Sequence, residues 1–395
     1  MIKELRITNF LSFREEIFRF SPGANILIGI NGSGKSNFFK ALRFFREGVF
    51  GIGAERYILE LLGGIDSALF MGVGINSFSL ELVLDGPKLT SLAGGFRFTE
   101  DVIFKVECFK VPGGENFYIS ENIKTKKGYT YLSFSNGIGH INRDKELVRY
   151  VDFNPQGLAL REIRDSDADI SIELVTVKKA LESFLVYSYF DTTASSPMRK
   201  AVVPSLDKRL NFDGSNLAQI LNLLKHNHRS SYNQLISLLK EVNPNFNNIE
   251  FRQIGKGLEL VLEEVGLERT VHVSQISDGT LRFLCLLSII FNPNPNRGYL
   301  ICIDEPEVGL HPDMISGLAE AFNQVGDDST FVISTHSESF IDHFGVESIR
   351  VFEKSEDNST EIKQFTAQEL NEWVDEYTSG QLWSKGILGA VRYGK

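Results

Sequence analysis

The ten residues IGINGSGKSN, Ile28–Asn37, constrain the fold of this chain more than any other stretch. They contain G-x-x-x-x-G-K-S, with Gly29, Gly34, Lys35 and Ser36 at the fixed positions. Such a run makes physical sense only where a buried strand ends, a glycine turn follows and a helix begins at once. Both flanks agree. The preceding NILIG is a short apolar run, and Phe38, Ala41, Leu42 and Phe45 recur at i, i+3, i+4 and i+7, the stripe of an amphipathic helix. The backbone N–H groups of Asn31, Gly32, Ser33 and Gly34 can then point at phosphate oxygens, aided by the helix N-terminus behind them. Lys35 supplies a point charge, and the Ser36 hydroxyl is placed to ligate Mg²⁺. The phenylalanines after the motif read as core contacts that seat the helix.

A second region supplies the acid. In GYLICIDEPEVGLHP, the apolar run Leu300–Ile303 ends in Asp304 and Glu305. A carboxylate at the C-terminal tip of a buried strand faces the ligand crevice of an α/β sheet. Asp304 is placed to hold the Mg²⁺, and Glu305 to polarise an attacking water as general base. Two further runs follow the same logic. SQISDGTLRFLCLL carries a polar turn, Ser277–Thr280, capping an apolar helix. FVISTHSES is an apolar strand ending in Ser334, Thr335 and His336, one helix after the Asp304 strand and so expected on the neighbouring tip.

Elsewhere the chain alternates with period two from Phe78 to Ser135, broken by glycine-rich turns, the pattern of an antiparallel lobe. Residues Ser171–Phe190 read as helical. Two amphipathic helices follow, with stripes Leu217, Ile220, Leu221, Leu224 and Tyr232, Leu235, Ile236, Leu239. No heptad sustains a coiled coil. The reading is an α/β core at 1–75 and 250–365, a β-rich then helical lobe at 76–249, and a short C-terminal helix and tail at 366–395. The formal net charge of −10 argues against coating nucleic acid non-specifically, so DNA contact would need a local basic patch. Three cysteines without a C-x-x-C pair make neither a disulfide framework nor a zinc knuckle. With no signal-peptide core and no apolar run long enough to span a bilayer, the expectation is a cytoplasmic protein without a membrane partner.

Taken in order, these four motifs resemble those of ABC-type ATPases of the SMC, RecF and OLD kind: P-loop, signature turn, Walker B Asp-Glu and switch histidine. The opening LRITNFLSF is similar to that superfamily's first strand and turn, where Asn9 to Phe13 would approach the adenine. The compact stand-alone bacterial AAA-type members offer the nearest likeness. The resemblance implies an ABC-type P-loop core, a mixed, mainly parallel sheet with flanking helices, carrying an inserted antiparallel and helical lobe. It implies ATP and Mg²⁺ as cofactors and a homodimer in which Ser277 and Gly279 of one subunit complete the other's ATP site. His336 would sense the γ-phosphate and position the attacking water. It further implies an ATP-dependent regulator of a separately encoded effector in a DNA-linked process, foremost bacterial antiphage defence. The alternatives are a RecF-like clamp on duplex DNA, or a nucleotide-bound scaffold without turnover; Glu305 and His336 argue against the scaffold.

Two departures stand out. Asp278 occupies a position where transporters carry glycine, unfavourable beside phosphate unless the side chain turns away. No glutamine precedes Gln156, so the usual Gln-loop ligand lacks a match, with Gly63 and Gly64 marking the nearest candidate region. Glu305 with Asp327 and Asp328 could suggest a TOPRIM nuclease, but the adjacent aspartates precede a strand and read as a turn. Some forty residues follow SIRVFEK, below the ~100 of a typical domain, so no nuclease domain is expected after it.

Overall fold

A computed structural model describes residues 2–72, 74–143, 146–163, 171–293, 299–325, 329–371 and 373–389. Asp327 and Asp328, the residues of the nuclease reading, lie outside the described residues. Among the described residues, three sheets form the frame. The first is antiparallel and eight-stranded, running from Phe13–Arg19 through Ile2–Phe10, Ser77–Leu84, Val102–Lys110, Phe117–Thr125, Thr130–Ser135 and Ile138–Arg143 to Glu146–Tyr150. The second has the order Phe184–Tyr187, Leu300–Asp304, Thr330–Ser334, Gly23–Ile28, Ile349–Lys354, Thr360–Lys363, parallel except for its last strand. A third, three-stranded sheet contains Phe246–Ile254, Gly257–Glu264 and Val271–His272.

The parallel sheet is apolar on both faces, as period-two alternation demands when each face has its own cover. Leu27, Cys302, Val332, Val186 and Phe352 point into one core, shared with the P-loop helix Lys35–Val49 and the antiparallel sheet. Ile26, Ile301, Ile303, Phe331 and Ile333 point into the other, shared with the helices Leu217–Asn227, Arg229–Val242, Asp278–Ile290 and Pro312–Gln324. Phe38 is fully buried, its ring 4.4 Å from that of Phe18 and 5.8 Å from that of Phe352. Burying one such ring contributes about 1.5–3 kcal/mol, so this contact fixes the P-loop helix between the sheets.

The sheets do not divide where the sequence suggested. The first two strands belong with Ser77–Leu84 rather than with the parallel sheet. Within Ser171–Phe190 the helix stops at Glu182, and Phe184–Tyr187 becomes an edge strand of the parallel sheet. A four-residue apolar run has no period long enough to separate helix from strand, and alternation does not name a strand's neighbour. The strands Phe246–Ile254, Gly257–Glu264 and Val271–His272 form their own sheet for the same reason. No described helix is long and apolar enough to cross a membrane.

Candidate functional site

The strand register sets the site. Asp304 pairs with Ser334, and Ser334 with Leu27, so the tips of the acid, switch and P-loop strands lie side by side. Thr335 N–H donates to Leu27 O at 3.1 Å, locking the last two together.

The P-loop is shaped by backbone that only glycine adopts easily. Gly34 caps the helix with φ +114, and a Cβ there would lie 2.3 Å from Thr360 Oγ1. Thr360 Oγ1 in turn donates to Ser33 O at 2.7 Å and lies 2.8 Å from Ser12 Oγ, to which Asn37 Nδ2 donates at 3.0 Å. Asn31 and Gly32 are exposed, and nothing crowds the Gly32 Cα. Ser33 is buried with its Oγ unpartnered. Ser36 is exposed in the first helical turn. Lys35 is buried, and its Nζ donates to Gly29 O at 2.6 Å and Ile30 O at 3.3 Å.

The acid side is equally specific. Ser334 Oγ donates a short hydrogen bond to Asp304 Oδ1. Glu305 N–H donates to Ser334 O and to Ser334 Oγ, both at 3.1 Å. Glu305 has φ +47, a conformation that costs a non-glycine residue about 1–3 kcal/mol and concentrates at functional sites. Its carboxylate lies 3.5 Å from His336 Nε2, outside hydrogen-bonding geometry, and Nε2 is buried without a hydrogen bond. Burial, then the Lys35 charge, holds the His336 imidazole below its ordinary value, so it is neutral near pH 7.

Burial also lowers the Lys35 ammonium to about 8, against the pull of Glu305, Asp304 and Glu307. A bound polyphosphate favours the charged form and raises that value again. ATP affinity is therefore expected to be flat below about pH 8 and to weaken above it, by at most tenfold per pH unit, because binding must then take up a proton. Calorimetric titration between about pH 7 and 9 measures this; constant affinity across the range contradicts it.

Several site residues went unseen in the sequence. Glu307 accepts from Thr335 Oγ1 and His336 N–H, both at 2.8 Å, and burial, reinforced by Glu305, raises its carboxyl. Nothing in the sequence around Glu307 points to these partners, which lie 28 and 29 residues away. Arg199 explains the misfit at Asp278: its Nη2 donates to Asp278 Oδ1 at 2.6 Å, while Nη1 donates to Val273 O and Ile276 O at 2.8 and 2.9 Å. The carboxylate is held by a nearly buried guanidinium. Ser277 caps the helix by accepting from Thr280 N–H at 3.1 Å, and Gly279 packs close to Gly309 O.

Gly63 and Gly64, the nearest candidate region for a Gln-loop, precede the turn Ile65–Ala68, whose Ser67 lines a cavity of about 310 Å³ with Leu11, Ser12, Asn37 and Phe70. The segment beside the acid is Ser188–Phe190, after the edge strand. It lines a cavity of about 220 Å³ with Asp304, Glu305 and Arg282, whose guanidinium stacks 4.3 Å from the Tyr189 ring. That strand was hidden in a helical pattern of the sequence.

The donors suit a magnesium nucleotide. Among the described residues no group of three or more His, Cys, Asp or Glu could cage a metal. A hydroxyl (Ser36) and one carboxylate (Asp304) are the hard-oxygen set that Mg²⁺ takes when phosphates and water complete its shell.

Solved structures share this frame, and known proteins match stretches of the sequence. The structure of an SmcHead bound to the C-winged helix domain of ScpA superposes with a TM-score of 0.59 at 13% identity, over 93% of this chain and 99% of that one. A Pyrococcus furiosus Smc head with an extended coiled coil, bound to the C-terminal domain of ScpA, gives 0.57 at 12%, over 95% and 99%. The fold is thus that of the Smc head domains. Residues 24–342 match the family described as "AAA domain, putative AbiEii toxin, Type IV TA system", and the chain belongs to it. Local identity reaches 53% over 45 residues of structural maintenance of chromosomes protein 3 from Caenorhabditis elegans, 11% of this chain and 4% of that protein. It is 34% over 107 residues of the DNA double-strand break repair Rad50 ATPase of Methanococcus maripaludis, 26% and 10%. RecF of Streptococcus equi subsp. zooepidemicus gives 44% over 43 residues, 11% and 12%. The chain thus spans a small fraction of the length of these relatives.

Proposed function

We propose that this chain binds Mg²⁺-ATP and hydrolyses it in sites shared between two copies, and that the ATP-closed dimer regulates a separately encoded effector. Lys35 and the Asn31–Gly34 backbone hold the phosphates; Ser36 and Asp304 would hold the metal, which would supply charge neutralisation at the transferred phosphoryl group. Glu305 takes a proton from the attacking water, and the neutral His336 orients that water at the γ-phosphate. Ser277 and Gly279 reach the γ-phosphate of the partner's site.

The observation that carries the reading is an arrangement about one sheet. Lys35, Asp304, Glu305 and His336 gather at its strand tips. The signature helix packs on one face and the P-loop helix on the other. A turn separated from the P-loop by a sheet is suited to another molecule's nucleotide. The effector reading draws on the family's description, which refers to a toxin–antitoxin system, and on the solved heads that carry a ScpA domain. Bacterial antiphage defence is the setting we favour.

The purified chain should release phosphate from Mg²⁺-ATP slowly, lose that activity with Lys35→Ala, and leave plasmid DNA intact. Absence of any Lys35-dependent turnover would remove the ATPase reading; cleavage of DNA by the pure chain would remove the separate effector. The local identity to Rad50 and RecF favours a second reading, a clamp on duplex DNA. Its mark is DNA affinity that falls by about 0.9 log unit per phosphate contact per log unit of salt.

A further inference from the structure

The C-terminal segment reads from the sequence as a short helix and tail, yet it packs on the switch. The switch strand Thr330–Ser334 leads through Thr335 and His336 directly into a one-turn helix, Glu338–Ile341, capped by Ser337. Against that turn lies the C-terminal helix Ser379–Ser384, started by a capping box between Thr378 and Gln381. The two are held tightly. Gly380 N–H donates to Asp342 Oδ1 at 2.8 Å, and Ser379 Oγ donates to Phe344 O at 2.7 Å. A Cβ on Gly380 would lie 2.5 Å from Glu338 O, so the approach needs glycine for space. Leu382 and Leu388 anchor the segment in the same core as Phe340 and Ile341.

This packing brings the Trp383 indole to the switch histidine. The ring centroids of His336 and Trp383 are 6.4 Å apart, with planes at 43°. Two polar nitrogens are left buried and unpartnered here, His336 Nε2 and Trp383 Nε1. An unpaired buried donor or acceptor forgoes the hydrogen bond it would make in water, so both nitrogens favour a rearrangement that supplies partners. His336 Nε2 faces Glu305, the side from which a γ-phosphate and its attacking water would come.

We propose that the C-terminal helix is part of the ATP-sensing switch, with Trp383 the residue that positions His336. The indole sets the imidazole plane from behind, while the catalytic centre lies in front. When Nε2 gains a partner at the γ-phosphate, the ring shifts against the indole, and the helix Ser379–Ser384 registers the shift. The same helix would carry the nucleotide state to the surface. This inference rests on the reading of His336 as facing the γ-phosphate.

The chain has two tryptophans, and Trp373 is 48% exposed. Trp373→Phe therefore leaves Trp383 as sole reporter with little disturbance. In that background Mg²⁺-ATP should change the Trp383 emission saturably, with the midpoint found by calorimetry. His336→Ala should abolish the change while ATP still binds. Trp383→Ala should lower turnover roughly tenfold or more with KM little altered, within the range that misplacing a catalytic group costs, and Trp383→Phe should restore most of it. ATP binding with silent Trp383 emission, or wild-type turnover in a folded Trp383→Ala protein, overturns the proposal alone. Failure of the Trp373→Phe protein to bind ATP, with its melting temperature unchanged, overturns the nucleotide site and this inference with it.

Discussion

Glu305→Gln is expected to lower ATP turnover by about 10²-fold or more while ATP stays bound, the loss typical of removing a general base. The amide keeps the shape of the side chain and its exposed position, 43% accessible, so the fold should be undisturbed. The backbone bonds from Glu305 N–H to Ser334 survive, since they do not involve the side chain. What changes is charge. The carboxylate no longer accepts a proton from water, and it no longer repels the γ-phosphate. Binding should therefore hold or tighten, and the closed dimer should accumulate with Mg²⁺-ATP. Single-turnover phosphate release separates this from slow product escape. Unchanged turnover would transfer the role of base to another residue, with His336, neutral near pH 7, first in line.

Much of the site was legible because each motif is local. The P-loop, the Asp304 strand and the His336 strand each declare themselves within about ten residues, through an apolar run ending in a polar group. The parallel register then brings their tips together without further information. What stayed hidden depends on long-range pairing. Arg199 meets Asp278 across 79 residues, and Thr360 meets Ser33 across 327. Neither partner carries a pattern that points to the other. Glu307 was visible, but its role depends on a hydrogen bond to the His336 backbone that no spacing rule contains. The edge strand Phe184–Tyr187 was lost between a helix and a loop, and with it the segment Ser188–Phe190 beside the acid. The Trp383 contact was illegible for a similar reason, since a six-residue helix shows nothing of what it packs against.

The central claim is that the ATP site is shared between copies, and mixing two inactive variants tests it most directly. Lys35→Ala removes the charge of the P-loop. Ser277→Arg places bulk and a cation on the signature turn and removes the helix cap, at a cost of about 0.5–2 kcal/mol, so folding must be checked by melting temperature. Each variant alone should be inactive. In a mixed dimer, one site combines both lesions. The other pairs the intact P-loop of the Ser277→Arg chain with the intact signature turn of the Lys35→Ala chain. Random assortment makes about half of the dimers mixed, each with one intact site, so turnover should recover to about a quarter of wild type if sites act independently. Nucleotide binding, measured in parallel, recovers even where strict cooperativity between sites suppresses turnover. With mixed dimers shown to form, the account predicts that binding returns on mixing. If neither binding nor turnover returns, the site lies within one chain and the account is contradicted.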